Sequence, residues 1–330
     1  MSWKGKKVLV TGAGGFIGSH LAEALVRRGA KVRAFVHYNS RNDWGQLERV
    51  PRTVREALEV VAGDVRDPFF VNAAVERCEV VFHLAALIPI PYSYMAPHSF
   101  VETNVLGTLN VLEACRTAGV RRLLHTSTSE TYGTARRVPM DETHVAQAQS
   151  PYAVSKIGAD KLVESYVRSY GVPAVTVRPF NTYGPRQSAR AVIPAIATQA
   201  LARRPRVALG SPEPVRDFSY VADTVRGVLS AAELDDAAGE VFNVATGCGV
   251  AIGDVGRVII DLCGNGARLV AERQRMRPAS SEVMRLIGDS SKLRARTGWR
   301  PRVSLLEGLG RTVEFIARHL DEYKADLYNV

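Results

Sequence analysis

Short apolar runs alternate along the first half of the chain with longer stretches whose apolar side chains recur at helical spacing. Lys7 to Val10 is the first run, and a helical pattern from about Ser19 to Arg28 follows it and stops at Gly29. Lys31 to Val36, Ala57 to Ala62, Val80 to Ala86, Arg122 to Thr126 and Ala174 to Arg178 read as further strands. The Val80 run is apolar almost throughout, the composition of a strand covered on both faces. Between the strands fall a helix of roughly Ser99 to Ala118, closed by Gly119, and another from Ser150-Pro151 to Gly171. Ser150 suits an N-cap, and Pro151 the first helical position, where its missing N–H costs nothing. This alternation, free of repeats, predicts an α/β fold built on a doubly wound parallel sheet.

From about Asn181 the rhythm loosens, with Pro185, Pro194, Pro205, Pro212 and Pro214 breaking the pattern. Glu240 to Ala245 reads as one more buried strand that rejoins the first sheet, and Ser304 to Leu320 as a late helix. The predicted organisation is a domain of residues 1–180, rejoined by about 216–247, with a smaller, partly discontinuous C-terminal lobe of 181–215 and 248–330.

Chemistry enters at the first strand end. Thr11-Gly12-Ala13-Gly14-Gly15-Phe16-Ile17-Gly18 joins a strand to a helix, the setting in which a glycine-rich turn binds a dinucleotide. Gly12 permits the turn, Gly15 lets backbone approach a pyrophosphate, and Gly18 allows helix and strand to pack. Gly12, Gly15, Phe16, Ile17 and Gly18 are therefore candidate cofactor residues of a Rossmann-like domain, at a helix N-terminus that favours anions. The small residues in Leu84-Ala85-Ala86 would let the cofactor lie against the fourth strand's end. In NAD-binding proteins a carboxylate usually closes the second strand; Val36-His37-Tyr38-Asn39-Ser40-Arg41 has none. His37 and Arg41 could meet a 2′-phosphate or simply face solvent, which leaves NAD and NADP both open.

Tyr152 and Lys156 stand four residues apart, neighbours on one helix face. An ammonium beside a phenol favours the phenolate, so the pair predicts a tyrosine pKa pulled down from about 10. That would make a base for a sugar hydroxyl. His125-Thr126-Ser127-Thr128-Ser129-Glu130, at a strand end where ligands of such sheets sit, supplies further candidates.

The net charge of +10 is spread along the chain, without the block or stripe that marks a nucleic-acid binder. No apolar run reaches the ~18 residues of a membrane span, and the first residues run straight into a strand, leaving no room for a signal peptide. Cys78, Cys115, Cys248 and Cys263 have neither paired nor metal-ligand spacing, the pattern of free thiols in a reducing cytoplasm.

The glycine turn, Gly63-Asp64, His83-Leu84-Ala85-Ala86, Asn104, Thr128-Ser129-Glu130, Tyr152/Lys156, Arg178 to Arg186 and Arg216-Asp217-Phe218 together resemble the extended short-chain dehydrogenase/reductases. Within them the chain looks most like the nucleotide-sugar 4,6-dehydratases, in particular the N-acetylglucosamine-type enzymes of nonulosonic acid pathways. Ala86 to Tyr94 and Ser188 to Pro194 carry that narrower likeness. The resemblance implies a tightly bound NAD or NADP, with Asp64 and Val65 lining its adenine. It implies that Tyr152 and Lys156 serve the sugar 4-hydroxyl and the nicotinamide ribose, with Thr128 as hydroxyl partner. Asn181, Arg186, Arg216 and Arg277 would hold a UDP- or GDP-sugar, and Asn104 would be a structural hydrogen-bonder. It also implies a homodimer formed through the helices around 99–118 and 151–170.

Tyrosine, lysine and threonine suffice to oxidise C4 of a sugar. Elimination needs one more acid/base, because the C4 ketone acidifies the C5 proton and a carboxylate must take it as the C6 hydroxyl leaves. Glu130, two residues past Thr128, is expected on the same side of the strand end and in reach of that edge. Ser129 stands where glucose-type relatives carry an Asp. It is a poor acid alone, so Glu130 would serve as base and acid or a water would relay the proton. The rivals are a uronic-acid decarboxylase, a 4-epimerase and a non-catalytic dinucleotide sensor.

Overall fold

The computed structural model describes residues 2–325 and 327–328. Strands are numbered along the chain as β1 Lys7–Thr11, β2 Lys31–His37, β3 Leu58–Gly63, β4 Val80–His83, β5 Arg122–Thr126, β6 Ala174–Pro179 and β7 Asn181–Tyr183. They continue with β8 Arg206–Leu209, β9 Val215–Tyr220, β10 Val241–Val244, β11 Gly249–Ala251, β12 Arg268–Ala271 and β13 Arg285–Leu286.

Seven strands form one parallel sheet in the order β10-β6-β5-β4-β1-β2-β3. The order reverses between β1 and β4, and at that switch point the carboxyl ends of the strands open a crevice. The expected doubly wound α/β sheet is present. Apolar layers cover both faces: Val8, Val10, Leu21, Leu25 and Val228 lie in one, and Leu9, Val81, Leu112, Leu123 and Val163 in the other. Val80, Val81 and Phe82 are wholly buried, as a strand sandwiched on both sides requires.

Helix Phe16–Arg27 starts three residues earlier than its periodicity suggests, because Gly15 serves as its N-cap. Helix Pro151–Tyr170 is capped by the Ser150 side chain, which accepts from Ala153 N–H at 3.1 Å, and closed by Gly171 at φ 67°. The helix expected over 99–118 is less regular. It runs as α-helix Pro97–Phe100, a π-helical turn Val101–Leu106, and α-helix Gly107–Ala118. Asn104 sits buried in that wider turn.

After β6 the chain leaves the large sheet. β7 pairs with β9, and β9 lies between β11 and β13 in a second, four-stranded sheet; β8 and β12 form a separate parallel pair. The expected return to the large sheet from about residue 216 is therefore corrected: β9 belongs to the second sheet, and the return begins with helix Val221–Glu233 and ends in β10. The reason lies in alternation along β9. Asp217 faces inward and accepts from Thr246 N, Gly247 N and Gly288 N, partners that only the second lobe offers, while Arg216 points the opposite way. No helix among the described residues is long and apolar enough to cross a membrane.

Candidate active site

The glycine turn is built as a cradle. Gly12 has φ +69°, and a Cβ there would meet Ala85 N at 2.8 Å; a Cβ on Gly18 would overlap the Gly12 carbonyl oxygen at 2.1 Å. Helix Phe16–Arg27 has no side-chain cap and no acid in its first turn, so its leading N–H groups are offered to an anion. Backbone donors at a helix end, set in a turn that tolerates no side chains, fit a dinucleotide pyrophosphate.

One hydroxyl ties this turn to β4. Thr11 Oγ1 accepts from Leu84 N and Ala85 N, both at 3.1 Å, and meets His83 Nδ1 at 2.8 Å. On the other side of the ring, His83 Nε2 lies 3.0 Å from Thr108 Oγ1, whose single proton goes to the Asn104 carbonyl. His83 must therefore donate from Nε2 and accept from Thr11 at Nδ1. Burial holds this imidazole neutral, well below the usual histidine range, which the tautomer demands.

The expected lowering of the Tyr152 pKa is corrected. Burial pushes the phenol well above its ordinary value; a hydrogen bond with the Thr128 side chain opposes this, and Glu130 and Asp160 add to it. Lys156 is buried as well and is brought down to about 8 by desolvation, with Asp160 working against that. Its Nζ donates to the Thr126 carbonyl at 2.8 Å. Spacing brings the two side chains to one face, but it does not report how dry that face is.

Glu130 is also reached differently. After Thr128 the chain turns into a 3-10 helix, Ser129–Tyr132, and Thr128 Oγ1 accepts from Glu130 N at 3.2 Å. The turn, not strand alternation, delivers the carboxylate beside Tyr152. Its side chain is 12% exposed, and Oε1 lies 4.0 Å from Arg277 Nη1. Arg216, 3% exposed, also feels the Glu130 charge and donates from Nη2 to Glu282 Oε1 at 3.1 Å. Asn181 presents a buried Oδ1 with no hydrogen-bond partner. Tyr152, Thr128, Glu130, Arg216 and Arg277 thus gather between the carboxyl end of β5 and the start of β9, a setting with two proton-transfer groups and two guanidiniums.

The family model described as GDP-mannose 4,6 dehydratase matches residues 9–312. The chain belongs to this family. It is 33% identical to the UDP-glucose 4-epimerase of Mycolicibacterium smegmatis, over 94% of this chain and 98% of that protein. It is 31% identical to the trifunctional UDP-glucose 4,6-dehydratase/UDP-4-keto-6-deoxy-D-glucose 3,5-epimerase/UDP-4-keto-L-rhamnose-reductase of Arabidopsis thaliana, covering 96% of this chain but only 48% of that longer protein. The structure of the dTDP-glucose 4,6-dehydratase DesIV from Streptomyces venezuelae, with NAD and TYD bound, superposes with a TM-score of 0.85 at 29% identity, over 96% of this chain and 99% of that one. Nucleotide-sugar dehydratases and epimerases thus share this dehydratase-family fold.

Within the family's site, Arg186 is the sequence candidate that stands apart. Its buried guanidinium is turned onto helix Phe16–Arg27, with Nη2 2.6 Å from Glu23 Oε2 and 2.7 Å from His20 Nδ1. His20, pushed down to about 4 by burial, is neutral and accepts there. Glu23 and His20 take the Nη2 of this guanidinium, which ties the connection after β7 to the first helix. Arg41 is 84% exposed in its side chain and His37 is exposed too, whereas Asp64 is clasped by Arg66, Nη2 to Oδ2 2.6 Å, and Val65 is buried. Ser129 is buried in its turn.

Two acids escaped the sequence reading. Asp43 borders a cavity of about 200 Å³ lined also by Tyr38, Asn39, Trp44 and Ala62, beside the glycine turn, where Gln46 N donates to Gly14 O. Asn39 folds this loop by accepting from Arg41 N and Asp43 N, which brings an acid six residues past β2 to the edge of the cavity. Glu282, on the connection to β13, is the other. Neither carries a sequence signal, since only folded loops bring them in.

Proposed function

We propose that this protein is a nucleotide-sugar 4,6-dehydratase that converts an NDP-hexose, a UDP- or GDP-N-acetylglucosamine, into its 4-keto-6-deoxy product. Glu130 is the observation that carries this reading: a half-buried carboxylate beside the Tyr152 phenol and Thr128 hydroxyl. An oxidation and re-reduction at C4 needs no such group, whereas elimination across C5 and C6 does.

The turn from Gly12 to Gly18 would hold NAD(P)⁺, which would supply a hydride acceptor for C4 and a hydride donor for C6. Tyr152 takes the proton of the 4-hydroxyl as its phenolate, a form that burial disfavours and that the positive charges of Lys156 and of bound NAD(P)⁺ would favour, and Thr128 orients that oxygen through the hydrogen bond it shares with the phenol. Lys156 holds its positive charge on the same helix, steadied by the Thr126 carbonyl. Glu130 takes the C5 proton and, with Ser129 unable to act as an acid by itself, passes it to the departing C6 hydroxyl, so that water is lost. Such assistance is worth about 10²–10⁴ in rate. Asn181, Arg216 and Arg277 hold the diphosphate; guanidiniums suit it by their fork of donors. Asp43 supports NAD over NADP, since a carboxylate at the ribose cavity repels a 2′-phosphate; mass spectrometry of the cofactor carried by the purified protein checks this. Val101, Leu106 and Val154, apolar yet exposed on the helices 97–118 and 151–170, support a homodimer.

Incubation with a panel of UDP-, GDP- and dTDP-sugars, followed by weighing the product, tests the reaction. Loss of one water supports it; loss of CO₂ selects the decarboxylase, and unchanged mass with altered stereochemistry selects the epimerase. Glu130→Gln is expected to reduce the bound cofactor on adding substrate yet release no 4-keto-6-deoxy sugar. Undiminished product from that variant removes Glu130 from the mechanism.

A further inference from the structure

Four charges meet in the site, two of each sign: Arg216 and Arg277 against Glu130 and Glu282. Glu282 Oε1 accepts from Arg216 Nη2 at 3.1 Å and lies 3.9 Å from Arg277 Nη1, and the same Nη1 stands 4.0 Å from Glu130 Oε1. Arg277 Nη1 is itself buried and has no hydrogen bond. The guanidiniums are therefore shared between two carboxylates.

Glu282 does not reach this place by chance rotation of a loose loop. Its neighbour Ser281 is buried, donates to the Gln149 carbonyl just before the Tyr152 helix, and receives the Tyr94 hydroxyl at 2.5 Å. On the other side Met284 O accepts from Val215 N, and β13 then pairs with β9 beside Arg216. The connection is pinned at both ends, and its carboxylate is aimed at the two guanidiniums.

We infer that Glu282 is a positioning residue that occupies Arg216 and Arg277 until a diphosphate displaces it, and so keeps both guanidiniums from closing on Glu130. The inference rests on the reading above, in which the arginines take the diphosphate and Glu130 moves the proton. Removing the Glu282 charge leaves Glu130 as the nearest counter-ion for two cations. An ion-paired carboxylate holds its proton less well and is a weaker base. The groups facing Glu130 are Tyr152 from its helix, Thr128 from its own turn, Arg216 from β9, and Arg277 from the connection that also carries Glu282. None of these groups is altered in the variants below, which change only residue 282.

Two variants test it, Glu282→Gln and the charge-keeping Glu282→Asp, each read twice. In calorimetric titrations with UDP, GDP and dTDP, Glu282→Gln should bind its preferred diphosphate about fivefold more tightly than the native protein, and Glu282→Asp should bind like it. In Glu282→Gln, kcat/KM for the nucleotide sugar should fall about threefold despite that tighter binding, because the freed guanidiniums close on Glu130, and Glu282→Asp should restore it. Weaker diphosphate binding in Glu282→Gln would make the residue a direct nucleotide ligand and overturn the inference. So would unchanged binding, or a native protein that binds none of the three diphosphates. Tighter binding with an unchanged kcat/KM would keep the competition for the arginines and strike out Glu130 as their other partner.

Discussion

Lys156 carries its charge in a place that resists it. Burial lowers the ammonium to about 8 from 10.5, so the folded state binds this proton less tightly than the unfolded chain does. The resulting penalty on folding is fully present below about pH 8 and fades as pH rises towards 10.5, where both states are neutral. Lys156→Met, which keeps most of the volume, should be inactive yet more resistant to urea at pH 7, by about 2 kcal/mol. The gain should shrink in the same titration at pH 10; an equal gain at both values would show that charge burial is not its cause. Spacing made the lysine and tyrosine legible as a pair, since residues four apart on a helix are neighbours. The sign of the tyrosine shift was not legible, because it depends on Ile90 and Phe100, supplied by other elements. Asp43 and Glu282 were illegible for a related reason: each reaches the site through a loop whose path is set by Asn39 or Ser281, not by periodicity.

At the scale of elements, continuous apolar runs were read correctly, β4 and β10 above all, because only a strand buried on both faces can carry them. The long helix before β5 was legible in extent but not in form. Its π-helical turn exists where Asn104 accepts from Leu87 N, donates to Leu87 O and reaches Ser155 Oγ on the neighbouring helix. Widening the turn lets one side chain serve both partners, a tertiary demand that no local preference announces. The same two helices leave Val101, Leu106 and Val154 exposed. A second copy packed there would bury them, so the native protein should sediment as a dimer. Val154→Lys should shift it towards monomer without unfolding it, because that position is solvent-facing within one chain. A native protein that sediments as a monomer at micromolar concentration would refute this assembly.

For the whole molecule, the question is what keeps the second lobe seated over the first. β7 carries the chain directly from the large sheet into the small one, and just beyond it Arg186, at φ 69°, drops its guanidinium onto Glu23 and His20 of the first helix. The sequence placed an arginine after a Tyr-Gly-Pro turn, next to residues expected to touch substrate, but could not show that an acid from residue 23 would claim it. Charges at that depth hold only when paired, and loss of one partner costs about 3 kcal/mol. Arg186→Met leaves Glu23 with Arg27, 3.0 Å away, so the cost falls on the lobe contact and not on an abandoned carboxylate. The variant should lose about 2 kcal/mol in denaturant titrations while binding nucleoside diphosphate within twofold of the native protein. A diphosphate ligand would behave in the opposite way, with affinity falling by an order of magnitude and stability nearly kept. Only the first outcome is compatible with a guanidinium whose strongest partner belongs to the dinucleotide domain.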